Sequence, residues 1–460
     1  MKRTIYSMMV VALIAAVATV GFQCGSADFT GAKLHIQQKN YDKAIELLEK
    51  ETANNPKNEE AWYLLGRLRA DKGDIDGMNV AFENALKISN AHKNDIELTR
   101  LSVWGQYLNS GASYLKRASA DSVEFYRLAI ENITKSVKAK PDTALTYDYL
   151  AMAYYGMGNE DSAIIAYTKG WEISKDPEMY KQVGKILMNK GIEKESQFEK
   201  ENSEGLKALR NLKEVKPGVY KSDVLRSLGD PDATRIDKKN KKKEELVYAA
   251  YNLTISVESE KVTKITFSKP YEPKIDSTKY FEALAEYNKA IEVFETIKNQ
   301  HPEDNENLTL LLQTYVRANR IKEATTAFQQ AVENDPMNKT NHYILGVLYR
   351  SLGDYTNALA EYKEALRLDP SFTDAAYEIG ATLYNWGVDI LKKQQENGND
   401  SQEYKEKFQE ALPYLEQVVS VKKDDWRIWQ TLGTIYARLG QTDKAMEALD
   451  HVEKIQQQGK

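Results

Sequence analysis

Few side chains in this sequence have the types and spacing that support catalysis. The five histidines, His35, His92, His301, His342 and His451, lie far apart, and no pair has the spacing of a metal site. No glycine-rich phosphate loop, nucleophile elbow or kinase signature occurs along the chain. We therefore predict that the protein is not an enzyme and that it holds no metal and no cofactor.

A lysine-rich stretch, DKKNKKKEEL at residues 237–246, could bind anions. Its cations are Lys238, Lys239, Lys241, Lys242 and Lys243. A charged run of this kind is usually a solvated surface loop, which is the simpler interpretation. The alternative is contact with anionic lipid headgroups or lipopolysaccharide phosphate, where each lysine near the surface contributes about 1 kcal/mol.

The single cysteine, Cys24, follows an apolar run. A basic start, MKR, precedes the segment YSMMVVALIAAVATVGF, which is the pattern of an export signal. A cysteine directly after such a run resembles the lipid-attachment site of bacterial lipoproteins, although Gly21 and Gln23 depart from the usual residues before that cysteine. The resemblance implies that residues 1–24 form a signal and lipid-attachment segment and that Cys24 carries acyl chains.

Two other interpretations of the N-terminus remain open. Cleavage after the small residues Ala16-Val17-Ala18 would remove the apolar run, and an uncleaved anchor would keep it. All three interpretations export the chain. For a lipoprotein, Gly25 after the cysteine favours the outer membrane by analogy with that family, so we expect a periplasm-facing protein of the cell envelope.

Composition narrows the classes of partner. The chain has 460 residues, with 42% hydrophobic and 28% charged residues, which is ordinary globular composition. The 63 basic and 68 acidic residues give a net charge of −5, so no general basic field favours nucleic acid. The mean hydropathy of −0.59 excludes a multi-spanning membrane protein. We expect protein partners, no nucleic acid, and membrane contact through the N-terminal anchor.

From residue 25 onward the sequence is periodic. The clearest unit, KTNHYILGVLYRSLGDYTNALAEYKEALRLDPSF, spans residues 339–372 and is 34 residues long. It resembles the tetratricopeptide repeat, in which two helices cross closely at small residues and tyrosines fill the space between them. The residues that carry the resemblance are Leu345, Gly346, Tyr349, Ala358, Tyr362, Ala365 and Pro370.

The same register extends along the chain. Six units fit without a gap, at residues 25–58, 59–92, 144–177, 305–338, 339–372 and 426–459. Three stretched units, at 93–143, 178–304 and 373–425, predict a longer first helix and an early start of the second. The fold class that follows is mostly α, a tetratricopeptide-repeat α-solenoid of about nine helix-turn-helix units.

The fifth unit contains a segment with another period. VKPGVYKSDVLRSLGDPD predicts a short helix with Ser222 as its N-cap, ended by Gly229 and Pro231. The segment EELVYAAYNLTISVESEKVTKITF alternates apolar and polar residues and predicts three short antiparallel strands. Together they resemble the SmpA/OmlA family, a BamE-like α+β fold of small outer-membrane lipoprotein domains. We therefore divide the chain at 25–214, 215–270 and 271–460, with the α+β insert in the middle.

Repeat solenoids usually bind protein segments on the concave surface formed by their first helices. Eight residues have the offsets expected to face that groove: Tyr63, Arg67, Tyr155, Lys181, Lys185, Tyr343, Arg350 and Tyr384. This mixture of aromatic and basic groups suits a protein segment with acidic and apolar side chains. The lysine and asparagine pair that clamps a C-terminal carboxylate in cytosolic members of the family is absent from the repeats.

These observations predict an exported scaffold or adaptor that mediates protein–protein interactions in the cell envelope. The resemblance of the insert to BamE-like domains suggests a role in the assembly or maintenance of outer-membrane proteins, although a fold alone does not fix a function. The alternative is a regulatory or carrier subunit for an envelope enzyme that acts on polysaccharide or peptidoglycan.

Overall fold

The computed structural model describes residues 26–118, 123–397 and 402–458. The predicted signal segment, including Cys24, lies outside the described residues. Helices dominate the described chain, and none of them is long and apolar enough to cross a membrane. Residue contacts divide the chain into two compact units, Met1–Gln182 and Val183–Lys460, which are unit 1 and unit 2 below.

Unit 1 is built from helices that pack as successive pairs, α1 with α2, α3 with α4, α5 with α6 and α7 with α8. Their bounds are α1 Ala27–Gln37, α2 Tyr41–Asn54, α3 Glu59–Asp71, α4 Ile75–Ile88, α5 Lys93–Arg117, α6 Val123–Ala139, α7 Ala144–Gly156 and α8 Glu160–Ser174. The next helix, α9 (Pro177–Glu201), begins in unit 1 and ends in unit 2. The first helices of neighbouring pairs also touch, α3 with α5 and α5 with α7.

Unit 2 contains the rest of α9, a small sheet and the remaining helices. The helices are α10 Ser203–Glu214, α11 Lys221–Leu228, α12 Thr278–Gln300, α13 Asn305–Arg317, α14 Ile321–Asn334, α15 Lys339–Ser351, α16 Tyr355–Leu368, α17 Thr373–Asn397, α18 Glu403–Val421, α19 Trp426–Arg438 and α20 Thr442–Gln458. First helices again touch one another, α13 with α15 and α15 with α17.

The lengths of the first helices follow the predicted units. In five regular units the first helix has 13 residues, whereas α5, α9 and α17 of the three stretched units each have 25. At the turn inside the clearest unit, Gly353 has a positive φ of 80° and Asp354 accepts a hydrogen bond from the Asn357 N–H, as the sequence predicts for the end of one helix and the start of the next.

Glycine occupies the positions of the repeat at which the two helices of a pair cross closely. A Cβ atom on Gly66 would lie 2.5 Å from the Phe82 ring, and one on Gly346 would lie 2.6 Å from the Tyr362 ring. Both distances are far inside van der Waals contact, so only glycine lets the two helices of these pairs approach this closely.

Tyrosine hydroxyls join successive pairs at a constant spacing. Tyr315 donates to Glu295 over 3.0 Å and Tyr436 donates to Glu416 over 2.6 Å, and in each case the partner lies 20 residues earlier, on the second helix of the preceding pair. Tyr349 accepts a hydrogen bond from the Gln329 amide at the same spacing. Burial, followed by the neighbouring carboxylate, raises the pKa of Tyr315 and Tyr436 above the usual range.

The sheet has four antiparallel strands in the order β1-β2-β3-β4, with bounds β1 Ala233–Ile236, β2 Lys243–Tyr248, β3 Leu253–Glu258 and β4 Lys261–Phe267. Its core contains Val224 of α11, with Leu246, Ile255 and Val262 of the strands. Leu212 of α10 packs against this core as well, so the helix before the insert contributes to its packing.

Two details of the insert differ from the sequence prediction. We predicted three strands, but the sheet has a fourth, β1, whose four residues are all exposed and therefore carry no alternating apolar signal. Ser222 is not the N-cap of α11. Tyr220 occupies that position, and its backbone pairs with Lys261, so a tertiary bridge to β4 decides where the helix begins.

Candidate protein-binding surface

The residues predicted to face a groove are divided between the two units and differ in exposure. Tyr63 and Lys181 are buried, at 6% and 2% exposed, and have almost no surface to offer a ligand. Arg67 and Tyr155 are exposed. Lys185, Tyr343, Arg350 and Tyr384 are partly buried. Tyr63, Arg67, Tyr155 and Lys181 belong to unit 1, and the other four belong to unit 2.

The tyrosines of this set are mainly packing residues. Tyr63 stacks on His92 with 4.1 Å between ring centroids, and Tyr384 stacks on Phe408 at 5.6 Å. Tyr343 packs against Phe372 and Tyr362, and burial, followed by the charge of Glu378, raises the pKa of Tyr343 to about 12. Only Tyr155 presents an exposed ring among these four.

Carboxylates neutralise most of the predicted cations. Lys181 pairs with Glu178 and Lys185 pairs with Glu306, each at 2.6 Å between nitrogen and oxygen. The Arg350 guanidinium lies 3.3 Å from Glu378. Arg67, whose guanidinium lies 3.4 Å from the Tyr63 hydroxyl, has no ion pair among the residues that the structure describes. The expected basic character of the groove is therefore weak.

On the first helices of unit 1 the structure shows an exposed apolar surface, of which the sequence analysis had selected Tyr155 alone. Five large apolar side chains of α5 and α7 are between 46% and 64% exposed, and we call them the unit 1 stripe: Leu98, Leu101, Leu145, Met152 and Tyr155. Leu98 and Leu101 are three residues apart on α5, and on α7 Met152 lies seven residues after Leu145 and three before Tyr155, so each set shares one face. The sequence does show these apolar residues outside the face of each helix that is buried in the pair. The sequence analysis explained the apolar residues of the repeat by helix packing and therefore did not expect them on the surface.

Two hydrogen bonds of Trp104 join α5 to α7 and to α6 beside the stripe. The Trp104 indole N–H donates to the Thr146 hydroxyl over 2.7 Å, and the Ser136 hydroxyl donates to the Trp104 carbonyl over 2.9 Å. A groove of about 950 Å³ opens next to Leu98 and Leu101 and is closed on one side by residues 139–142. The groove has a mixed lining, with Leu98, Leu101 and Pro141 beside charged residues such as Glu97 and Arg100. Exposed apolar side chains next to such a groove are a common feature of sites that bind part of another protein.

The predicted lysine loop connects β1 and β2, and its five lysines are exposed. The Asp237 carboxylate accepts hydrogen bonds from the backbone N–H groups of Lys239 and Asn240, which lower the pKa of Asp237. Lys243 lies 3.4 Å from Glu258. The other four lysines have no ion pair with any residue in the described part of the chain. An ordered turn therefore holds four solvated cations close together.

The histidines contact structural partners. The His342 Nδ1 lies 2.6 Å from the Glu361 carboxylate and its Nε2 lies 3.0 Å from the Pro336 carbonyl. His92 pairs with Glu59, and His451 stacks on Trp429 at 4.1 Å. Among the described residues, no group of histidine, cysteine, aspartate and glutamate side chains could hold a metal ion.

Successive helix pairs that contact one another through their first helices define a helical repeat protein. Family models for the tetratricopeptide repeat match residues 29–77, 309–371 and 404–459. The chain therefore contains tetratricopeptide repeats in both units, as the sequence analysis predicted. Repeats of this class are scaffolds for protein–protein interaction.

Similar proteins share single blocks of repeats with this chain. The auxiliary subunit NAA15 of the N-terminal acetyltransferase A complex of Arabidopsis thaliana is 32% identical over 85 residues, which is 18% of this chain and 10% of that protein. The tetratricopeptide repeat and J domain-containing co-chaperone DNJ1 of Cryptococcus neoformans is 34% identical over 73 residues, 16% of this chain and 14% of that protein. The chain thus spans only a small part of the curated relatives it matches.

Solved structures resemble parts of the fold. MamA aligns at 19% identity over 40% of this chain and 98% of its own, with a TM-score of 0.30. YrrB, described as a tetratricopeptide-repeat protein with an unusual peptide-binding site, aligns at 21% identity over 39% of this chain and 87% of its own, with a TM-score of 0.29.

Proposed function

We propose that the protein is a scaffold that binds a segment of another protein along the unit 1 stripe. The exposed apolar side chains of α5 and α7 are the observation that carries this proposal, because large apolar groups on adjacent, rigidly joined first helices gain free energy only when a partner covers them. The tetratricopeptide repeats supply the scaffold.

The test compares charge insertion in the stripe with the same change elsewhere. Leu101→Glu and Met152→Glu place a carboxylate on the stripe, and Val80→Glu places one at an exposed apolar position of α4, a second helix. After crosslinking in intact cells, mass spectrometry should show that a specific partner is lost from the first two variants and kept by the third. Equal partner recovery from all three variants would refute binding at the stripe.

We propose that the scaffold lies in the cell envelope, exported by residues 1–24 and anchored through Cys24. Mass spectrometry of the mature N-terminus is the direct test. We expect an acylated Cys24 as the first residue. An unmodified Cys24, or a mature start at another residue, would rule out the lipid anchor.

Within the envelope, the proposed role is the assembly or maintenance of outer-membrane proteins. Its support is the resemblance of the insert to BamE-like lipoprotein domains, together with the antiparallel sheet and short helix of unit 2. The identity of the crosslinked partners separates the two roles considered. Barrel-assembly components would favour this role, whereas glycan synthases or hydrolases would favour a regulatory or carrier subunit of a polysaccharide or peptidoglycan enzyme.

The exposed lysine loop supports a second contact, with an anionic membrane surface. Changing Lys239, Lys241, Lys242 and Lys243 to serine should weaken binding of the protein to vesicles that contain anionic lipid. A control with the same change in charge replaces four exposed lysines elsewhere with serine, at Lys57, Lys87, Lys322 and Lys363. Vesicle binding that falls equally in both variants, or in neither, would reject the loop as the contact.

A further inference from the structure

One carboxylate in the unit 1 stripe lacks a counter-charge. Asp148 lies on α7, three residues after Leu145, four before Met152 and seven before Tyr155, so the four side chains share one face of the helix. The Asp148 side chain is partly buried. It has no hydrogen bond or ion pair with any cation in the described part of the chain, and the charged group that acts on it most is another acid, Asp176.

Burial and the charge of Asp176 both raise the pKa of Asp148. Each of these causes disfavours the ionised carboxylate, and no neighbour compensates for them. Of the other charges predicted to face the groove, Lys181, Lys185 and Arg350 have a partner of opposite sign, whereas the cation Arg67 has no ion pair among the described residues. Asp148 is thus the charged group of this surface that gains most from a cation supplied by a ligand.

One exposed aromatic ring shares the helix face of Asp148. Tyr155 lies seven residues after Asp148 on α7 and is 46% exposed. Tyr167 of α8 is buried at 8% exposed, and burial, followed by the charge of Asp148, raises its pKa to about 12. A carboxylate on a face with long apolar side chains and an exposed tyrosine fits an ammonium or guanidinium group on a methylene stem, because the cation meets the carboxylate while the stem lies on apolar surface.

Other ligand chemistries fit less well. An acidic side chain would meet Asp148 and Asp176, two charges of its own sign. A purely apolar side chain would cover Asp148 without providing a hydrogen bond, which carries a desolvation penalty. The predicted preference for acidic segments therefore does not suit the described surface around α7.

We propose that unit 1 binds a lysine or arginine side chain at Asp148, supplied by a protein segment whose apolar residues lie on Leu98, Leu101, Leu145 and Met152. This inference rests on the proposed function, since it specifies the chemistry of the segment that the stripe would bind. The expected ligand is a stretch of a partner protein that contains both basic and apolar residues.

The first experiment selects displayed random peptides of about 12 residues on the purified chain. The inference predicts enrichment of peptides that contain lysine or arginine between apolar residues. Peptides that bind the stripe, as shown by loss of binding to Leu101→Glu and Met152→Glu, but carry no basic residue would overturn the Asp148 site and leave the proposed function intact. If no selected peptide depends on the stripe, the proposed function fails as well.

The second experiment assigns the basic residue to Asp148. With one selected peptide as probe, Asp148→Asn should weaken its binding about tenfold, and replacing the basic residue of the peptide with glutamine should weaken it by a similar factor. Combining both changes should cost little more than either alone, because they remove the same contact. Glu83→Gln, at an exposed acid of α4, serves as the control and should leave affinity unchanged. Additive losses from the two changes would overturn the site.

Discussion

Single tyrosine hydroxyls connect one repeat of this protein to the next. The bonds from Tyr315 to Glu295 and from Tyr436 to Glu416 have the same spacing and join equivalent helices, so each contributes to the interface between two pairs rather than to the interior of one pair. In a repeat array, stability is close to a sum of unit and interface terms. Removing one hydroxyl should therefore weaken one interface.

Tyr436→Phe tests this contribution. The substitution keeps the ring but leaves the Glu416 carboxylate without its donor, so we expect the free energy of unfolding to fall by about 1 to 2 kcal/mol. Urea denaturation measures the change. Tyr377→Phe removes an exposed hydroxyl with no hydrogen bond among the described residues and should have little effect. A loss of the same size in both variants would show that the bond to Glu416 contributes nothing specific.

For single residues, type and spacing predict which side chains pack inside the protein better than they predict which side chains contact a ligand. Offsets within the repeat correctly marked Gly346 and Tyr362 as a close helix crossing. The same offsets also selected Tyr63 and Lys181 for a groove, yet both are buried. Exposure depends on which neighbour covers a side chain, as His92 covers Tyr63 from the end of the same repeat, and the sequence analysis did not include that neighbour. The surroundings of Asp148 likewise depend on neighbours that the offsets do not give.

Alanine substitutions at two glycines of unit 1 distinguish the effect of helix propensity on stability from the effect of helix packing. Gly66→Ala should lower the free energy of unfolding by about 1 to 3 kcal/mol, because the new methyl group would overlap the Phe82 ring. Gly105→Ala is the matched change in α5, where no atom lies within 4 Å of the new methyl group. There the higher helix propensity of alanine should stabilise the protein by about 0.5 to 1 kcal/mol. Thermal or urea unfolding measures both free energies of unfolding. A change in the same direction for both variants would contradict the packing role of Gly66.

The β3–β4 hairpin turns through two residues in an unfavourable backbone conformation. Ser259 and Glu260 have φ angles of 51° and 66°, in the left-handed region that suits asparagine and glycine. The double variant Ser259→Asn and Glu260→Gly should stabilise the sheet by about 1 kcal/mol. Hydrogen exchange measures this locally, through slower exchange of the Ile255 and Val262 amides. Unchanged or faster exchange would show that the turn is not strained.

Helices and strands with a strong period of apolar residues could be predicted from the sequence. Elements whose position depends on tertiary contacts could not. The 25-residue helices α5, α9 and α17 occur in the stretched units that the sequence identifies. By contrast, β1 has only exposed residues and is held by its pairing with β2, and the start of α11 is fixed by the bridge between Tyr220 and Lys261. Neither contact leaves a local signal in the sequence.

At the scale of the whole molecule, each unit carries one of the two proposed binding surfaces. The stripe and Asp148 belong to unit 1, and the lysine loop belongs to the sheet of unit 2. The period of the sequence predicts the repeat scaffold that carries both surfaces. The sequence could not predict where the scaffold leaves apolar side chains uncovered, because that depends on the contacts between α5, α6 and α7.

Site-specific photo-crosslinking tests protein binding at the unit 1 stripe most directly. A photoreactive phenylalanine derivative would be placed at Leu98, at Met152 and, as a control, at Val80, all three exposed positions of unit 1. Irradiation of intact cells should give the same protein adduct at Leu98 and Met152 and none at Val80. Absence of an adduct at both stripe positions, or an equal adduct at Val80, would contradict the assignment of this surface to a protein partner.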